Sequence, residues 1–387
     1  MSTTWQSIID SAINTRRFLH QHPELSWREN NTAEVIRNQL TKLGIQWREC
    51  ANTGTLAYLN FESTTTSKTI ALRGDIDALP IDEATNLNWQ SKTSGCMHAC
   101  GHDGHCATLL ASAHWLKLNE HKLNCRVVLI FQPAEEGGHG AREMINDGAL
   151  EGVDEIFGWH NWPAIPFGQL LCPDGIVMCG NGTFEITIKG TGGHASQPEL
   201  CQDPVLAASA VTLALQQIVS RRIAPQQTAV VSVTSIEAQS GATVIPQQAV
   251  LSGCIRVPDE TIKAQVNELI KEISEQTAAS YGTRAEVKIF PRYQATINHP
   301  QQASTVRSNW QTLFGQDSLA SSIATPIMAS EDFSYYLSEI PGAFALIGAD
   351  DGEGHKAPCH NPEYDFNDKL IEKVCHLYAS LVGINGR

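Results

Sequence analysis

Residues 97–105 read MHACGHDGH, so nine positions hold three histidines, one cysteine, one aspartate and two glycines. Thiolate and imidazole are strong ligands for divalent transition metals, and glycine lets the backbone approach closely. Cys100 and His102 stand two apart. They cannot share a helix face, but both can point one way from an extended segment or loop. Metal binding is the chemistry this stretch suggests; the alternative is a buried cysteine beside helix-capping polar residues. Further ligands have to come from elsewhere in the chain.

Four other places offer them. The apolar run RVVLIF, residues 126–131, reads as a strand buried in a parallel sheet and leads into QPAEEGGHGARE. Adjacent residues at a strand end point to opposite sides, so one of Glu135 and Glu136 can hold a metal while the other faces a reacting water. A solvent-exposed acidic turn is the competing account. His160, with Asn161, follows a strand at 155–159, and His360 stands in CHNPEYDFND before the last helix. Asp75 and Asp77, in RGDIDALPIDE, fall just past the carboxyl end of a strand at 69–72, where open α/β sheets place their chemistry. Cys100, His102, Glu136, His160 and His360 are too many for one tetrahedral zinc. They suit two ions about 3.5–4 Å apart, bridged by an anion that Cys100 or a carboxylate would supply. Glu135, unligated, would take the proton of an attacking water and pass it to a leaving amine. The expected reaction is metal-assisted amide hydrolysis. Two rivals stand beside it: a structural single-metal site, and a metal-dependent binding or sensor protein, against which a base beside the metals argues.

The elements that must position these residues follow from periodicity. Helices are expected at 3–20, ending at Pro23, and at 31–43, stopped by Gly44. Strands at 55–60 and 69–72 are separated by ESTTTSK, read as a surface turn. A helix over 105–118, a strand over 344–347 and a helix over 367–382 complete an α/β layered domain. Asp332, Phe333 and Tyr335 fall at a helix start, and GADDGEGHKAP reads as a flexible loop. Between them the pattern changes. Strand 183–189, helix 204–223, strands 228–236 and 247–256, helix 259–280 and strand 284–290 give β-α-β-β-α-β, the order of a small independent sandwich. The expected division is a discontinuous catalytic domain, 1–180 and 297–387, with a domain at 181–296 inserted into it. The insert carries His194 in GTGGHASQP and Arg256 near a strand end, neither a convincing site alone.

Composition narrows the class. Forty-one acidic against 27 basic residues leave a net charge of −14, which argues against nucleic acid or an anionic membrane as partner. Eleven scattered cysteines without scaffold spacing suit reduced thiols. The first residues, MSTTWQSIIDSAINTRR, lack the pattern of a secretory signal, and no apolar run approaches the ~18 residues of a membrane span. A soluble cytoplasmic protein is expected.

The motifs RGDIDALPIDE, MHACGHDGH, QPAEEGG, GWHNWP, GGHASQP, SEDFSYY and CHNPEYDFND, in this order, closely resemble the di-metal amidohydrolases that include hippurate hydrolase and the plant auxin-conjugate hydrolases, within the aminoacylase and carboxypeptidase superfamily. The resemblance runs from HQHPELSW to the last helix. It implies a zinc-peptidase-like α/β catalytic domain with an inserted ferredoxin-like lid that serves dimerisation. It also implies two divalent ions, manganese or zinc, with cobalt and nickel admitted, held by Cys100 as bridge and by His102, Glu136, His160 and His360. Glu135 matches the general base, Asp77 a ligand-orienting aspartate, and Asp75 the place where other branches carry a metal-binding histidine. His194 resembles a lid histidine that stabilises the oxyanion, in some relatives across a homodimer. Arg256 resembles a lid arginine that holds a substrate carboxylate. His98 and His105 then become hydrogen-bonded supports, and Asp103 anchors a loop or helix start. The implied activity removes an acetyl, benzoyl or similar acyl group from an amino acid or related small amine; a carboxypeptidase or dipeptidase is the alternative on the same site. This chain departs from the pattern at Glu199, usually histidine, at Thr243, usually asparagine, and at Ala329, usually glycine. Those positions bear on substrate choice, with Thr243 a candidate substrate contact.

Overall fold

The computed structural model describes residues 4–63, 68–321 and 323–384. Four residues of the polar tract, 64–67, lie outside the described residues. The chain forms two compact units: one from Met1–Val177, Ile297–Thr325 and Asp332–Arg387, the other from Met178–Thr296 and Pro326–Glu331.

In chain order the first unit opens with α1 (Trp5–Gln21), α2 (Asn30–Lys42), β1 (Gln46–Cys50), β2 (Gly54–Leu59) and β3 (Thr69–Asp75). It continues with α3 (His102–Leu118), β4 (Arg126–Gln132), α4 (Gly140–Asn146), β5 (Glu155–Pro166) and β6 (Leu170–Leu171). After the crossing strand β7 (Gly175–Met178) come β8 (Gly180–Lys189), β9 (Gly193–His194), α5 (Pro204–Leu215), β10 (Val230–Glu237), β11 (Val244–Ile245), β12 (Gln248–Val257), α6 (Glu260–Ser280) and β13 (Arg284–Pro291). The chain returns through β14 (Thr296–Asn298) to α7 (Pro300–Phe314), α8 (Ser334–Glu339), β15 (Gly342–Asp350) and α9 (Lys369–Leu381).

The first unit is built on a sheet of order β1-β2-β4-β3-β5-β15-β6. Its centre, β4-β3-β5-β15, is parallel, with antiparallel strands at both edges. Period-two alternation explains the continuous apolar runs. In β4, Val127, Leu129 and Phe131 join the core shared with α1, α3, α7 and α9, while Val128 and Ile130 are buried on the opposite face. The chain leaves β3 through α3 to β4 on one side, then through α4 to β5 on the other. β3 is therefore the switch point, outside whose carboxyl end such sheets bind ligands. β3 and β5 pair only over Ile70–Leu72 and Glu155–Phe157, and the site residues lie beyond that split.

Several boundaries differ from expectation. β3 runs three residues further than its apolar stretch, because Arg73 and Asp75 are buried against partners, so Asp75 ends the strand and does not follow it. α3 starts at His102, not 105, because Gly101 (φ +92) turns the chain directly into the helix. Cys100 thus stands in a loop and His102 in the first turn of a helix. β5 continues to Pro166 alongside β15, placing His160 and Asn161 inside a strand. The helix expected over 204–223 ends at Leu215, and a wider turn over Ile218–Arg222 follows, where β-branched residues replace the Ala/Leu run. Edge strand β1, with its charged QWREC, and short α4 carry no periodic signal and were not expected.

The second unit has an antiparallel sheet of order β10-β12-β8-β13. α5 and α6 share with it a separate core that includes Phe184, Ile186, Val211, Leu251, Val266 and Ile270. Asp203 and Asp259 cap the two helices by accepting backbone N–H bonds.

Candidate metal centre

Gly101 is fixed by crowding as well as by its φ: a Cβ there would stand 2.3 Å from Asn161 Oδ1 and 2.5 Å from the Tyr364 hydroxyl. Its turn presents Cys100 and His102 to the ends of β3, β4 and β5. Cys100 Sγ lies 3.3 Å from His160 Nε2 and 3.4 Å from His360 Nε2. The ligand atoms of Cys100, His102 and His160 all fall within 4.8 Å of one another, as do those of Cys100, Glu136 and His360. The two triads meet at Cys100. The Glu135 carboxylate belongs to neither, yet lies within the same 4.8 Å of His102 and Glu136.

Hydrogen bonds aim each donor. His102 Nδ1 donates to Asp77, at 3.0 Å from its backbone oxygen and 3.2 Å from Oδ1, which turns Nε2 toward Cys100 and His160. His160 Nδ1 donates to the Asn161 carbonyl at 2.6 Å, again leaving Nε2. Asp77 Oδ2 accepts from Ser26 Oγ at 2.7 Å and from the Glu136 N–H at 3.0 Å. His360, at φ +67, is held by its N–H on the Ala99 carbonyl at 2.7 Å. Asp75 accepts from Arg73 and, at 2.6 Å, from His105 Nδ1. His105 Nε2 faces Asn161 Oδ1 at 2.8 Å, so this histidine is a support. Asp103 ties α3 to α1, accepting from His20 Nδ1 at 2.9 Å and pairing with Arg16 at 3.1 Å. His98 departs from expectation. Both its ring nitrogens are buried without a hydrogen-bond partner, and burial pushes its pKa down to about 4. Enclosure at the base of the loop keeps it neutral, and it is not a hydrogen-bonded support.

The charge balance suits cations. Burial opposes ionisation of His102, but Asp75, Asp77 and Glu136 raise it to about 10. Against the same burial, Arg73, His102 and His105 hold Asp75 well below the usual carboxylate range. Two buried polar atoms, His102 Nε2 and Glu136 Oε1, make no hydrogen bond. Glu136 Oε1 lies 3.0 Å from His360 Nε2, but the orientation does not meet hydrogen-bond geometry. Buried nitrogen and oxygen atoms without partners, with a sulfur and two further imidazoles beside them and acidic groups that favour a positive charge among them, are donors of the kind a divalent ion takes. The residues fit the group.

Three supports were not foreseen. Residues 22–30, which follow the first helix, hold the turn that carries Glu135 and Glu136. Glu29 accepts from the Ala134 N–H at 2.9 Å and from Thr53 Oγ1 at 2.7 Å. Trp27 Nε1 donates to the Gly138 carbonyl at 3.1 Å, and Ser26 reaches Glu136 through Asp77. Ala134 itself sits at φ +52, a conformation that a non-glycine residue adopts only when its surroundings impose it. Burial first, and Asp77 next, push Glu29 up to about 7 despite its two donors. On the far side of the turn, buried Asp332 accepts from Gln132 Nε2 at 2.8 Å and from the Ala141 N–H at 2.9 Å, and its own N–H donates to Glu135 Oε1 at 3.3 Å. The sequence signal for Glu29 was a second acidic residue soon after a proline-terminated helix, which is weak.

The remaining candidates belong to the second unit. His194 lies on β9, opposite Val244 of β11, and its Nδ1 accepts from the Ser196 N–H at 3.1 Å. The Ala195 N–H donates to the Thr243 carbonyl at 2.9 Å, so His194 and Thr243 are brought together. Arg256, near the end of β12, donates to Ser330 Oγ at 2.8 Å.

The chain is 38% identical over 379 residues to an Arabidopsis thaliana protein named IAA-amino acid hydrolase ILR1-like 2, a match covering 97% of this chain and 85% of that one. It is 40% identical over 370 residues to the N-acetyl-L-cysteine deacetylase of Bacillus subtilis (strain 168), covering 95% and 86%. Among solved structures, a Bacillus subtilis protein described as a dinuclear metal binding peptidase from the M20 family superposes with a TM-score of 0.82 at 33% identity, over 98% of this chain and 100% of that one. The model of Peptidase family M20/M25/M40 matches residues 71–383, a span that takes in every donor of both triads. With that match across most of its length, the chain belongs to the M20/M25/M40 peptidase family.

Proposed function

We propose that this protein is a metal-dependent amide hydrolase that removes an N-acyl group, such as acetyl or benzoyl, from an amino acid or related small amine. One observation carries the reading: two donor triads meet at Cys100, with the Glu135 carboxylate beside both and a member of neither. On this reading Cys100, His102, His160, Glu136 and His360 would hold two divalent ions, with Cys100 the donor common to both triads. Mixed sulfur, nitrogen and oxygen donors suit zinc or manganese, with cobalt and nickel also fitting. When bound, such ions polarise the scissile carbonyl and make water a better nucleophile.

The chain's own residues do the rest. Glu135, steadied by the Asp332 N–H, accepts the proton of the attacking water and delivers it to the leaving amine nitrogen. Asp77 fixes the His102 tautomer, and Asp75 holds His105 and Arg73 in place beneath it. His194, Arg256 and Thr243 are read as substrate contacts, for the oxyanion, a carboxylate and a polar group. The assigned division keeps residues 1–180 and 297–387 as catalytic and 181–296 as lid and dimerisation domain. A homodimer is supported by α5, whose Leu206 and Leu213 are exposed although the helix is apolar all round. No helix among the described residues is long and apolar enough to cross a membrane, and a cytoplasmic site of action is proposed.

The test is Glu135→Gln, assayed with ion content. Two ions per chain should be retained while kcat falls by about 10²–10⁴-fold; full activity in the variant overturns the mechanism. Parallel assays on N-acetyl amino acids, N-benzoylglycine and dipeptides separate deacylase from carboxypeptidase or dipeptidase.

A further inference from the structure

Eleven cysteines are free in this chain, and eight of them are buried. One pair stands apart. The His360 N–H bond to the Ala99 carbonyl, 2.7 Å, joins two segments whose neighbouring residues are Cys100 and Cys359. Cys359 Sγ lies 4.0 Å from Asn161 Nδ2, and Asn161 follows His160, whose Nε2 is 3.3 Å from Cys100 Sγ. Cys359 is partly exposed on the loop before the final helix, and the side chain of its neighbour His360 is about half exposed (52%). A small oxidant in solvent thus has a path to one thiol of a pair whose other member is the shared donor of the two triads.

We propose that Cys100 and Cys359 form a reversible disulfide when the protein meets a hydroperoxide, so that the residue pair is a redox modification site at the metal centre. The steps balance. The Cys359 sulfur attacks the peroxide O–O bond, becoming a sulfenic acid and releasing an alcohol, or water from hydrogen peroxide. The Cys100 sulfur then attacks the Cys359 sulfur, the S–S bond forms, and the sulfenic oxygen leaves as water, taking its second proton from the Cys100 thiol or, where Cys100 is a thiolate, from solvent. Two thiols are oxidised by two electrons and one peroxide is reduced. Bridging requires Cα atoms within about 7 Å, and the side chains of Cys100 and Cys359 already stand within hydrogen-bonding reach of one another. Because a disulfide sulfur has no thiolate charge to share, the modified centre loses its anionic bridge. That last consequence rests on the proposed role of Cys100 as a ligand, whereas the disulfide itself does not.

The experiment treats the metal-loaded full-length protein with hydrogen peroxide, alkylates free thiols and maps the peptides, while ion content and turnover are followed in parallel. The expected result is a Cys100–Cys359 linked peptide, lighter by two hydrogens than its parts, which accumulates in step with loss of ions and activity. Dithiothreitol plus metal should restore both. Cys359→Ser and Cys359→Ala should keep basal activity and yield no linked peptide, and any loss they suffer should not be recovered by dithiothreitol. Inactivation without the linked peptide, or an equally reversible loss in the Cys359 variants, overturns the proposal. A linked peptide with both ions retained supports the disulfide and overturns Cys100 as the shared ligand.

Discussion

Replacing Cys100 by serine removes the one atom common to both triads. A neutral hydroxyl cannot offset two dications as a thiolate does, so bound metal should fall from two ions per chain to one or none, with far-ultraviolet circular dichroism unchanged. Elemental analysis after dialysis checks this. Glu29→Ala makes a different cut: it strands the Ala134 N–H and the Thr53 hydroxyl, at about 1–3 kcal/mol for each buried group left unpaired. It should also let the Glu135–Glu136 turn relax from its positive-φ conformation. Reduced kcat with little change in KM is expected, while Glu29→Gln, which keeps an acceptor for Ala134, should recover most of it. The contrast shows which residues the sequence makes legible. Donors announce themselves because cysteine, histidine and paired glutamates are chemically distinctive after a buried strand. Glu29 and Trp27 act by hydrogen-bonding a backbone that only the fold brings beside them.

At the scale of elements, α1 and α3 are joined by buried charge. His20 donates to Asp103 and approaches Glu83 at 3.3 Å, while Arg16 pairs with the same aspartate. Burial lowers the affinity of His20 for a proton, but Asp103 and Glu83 outweigh it and raise the pKa to about 9, from 6.5 for a free histidine. A folded-state pKa above the unfolded one contributes stability that is full below pH 6.5 and lost as pH rises through 9. Thermal melts should therefore show an alkaline decline between about pH 6.5 and 9 that His20→Gln flattens. Most strands of both sheets and most helices are legible, because period two and period 3.6 survive wherever one face is buried. The start of α3 is not. Gly101 sets it through a left-handed turn fitted against Asn161 and Tyr364, a contact distant in sequence. β1 was missed for the opposite reason: an edge strand can be charged on its open side, so QWREC lacks the pattern that marks an interior strand.

The whole molecule has two hydrophobic cores, one per unit, with every proposed ligand in the first. A ligand that binds only the folded state stabilises that state by mass action. Chelation should consequently lower one calorimetric transition and leave the other near its original temperature; a single transition shifting as one would show that the units unfold together. If the exposed leucines of α5 meet a second copy, Leu206→Glu with Leu213→Glu should convert a dimer to a monomer in sedimentation, with the fold intact by circular dichroism. The insert has its own complete strand and helix pattern in the sequence. Nothing periodic marks the short return of Pro326–Glu331 to the second unit.

The sheet order also fixes a timetable. β15 lies between β5 and β6, yet it is made some 180 residues after β5. Until residue 342 has left the ribosome, the flank of β5 that carries His160 has no neighbour, and the donor at 360 does not exist. The second unit, complete by Thr296 apart from its brief return, can settle first. During synthesis the growing chain therefore carries an open parallel edge next to four of the five proposed metal donors. For that interval it depends on rapid completion, or on a chaperone, to escape pairing with another chain.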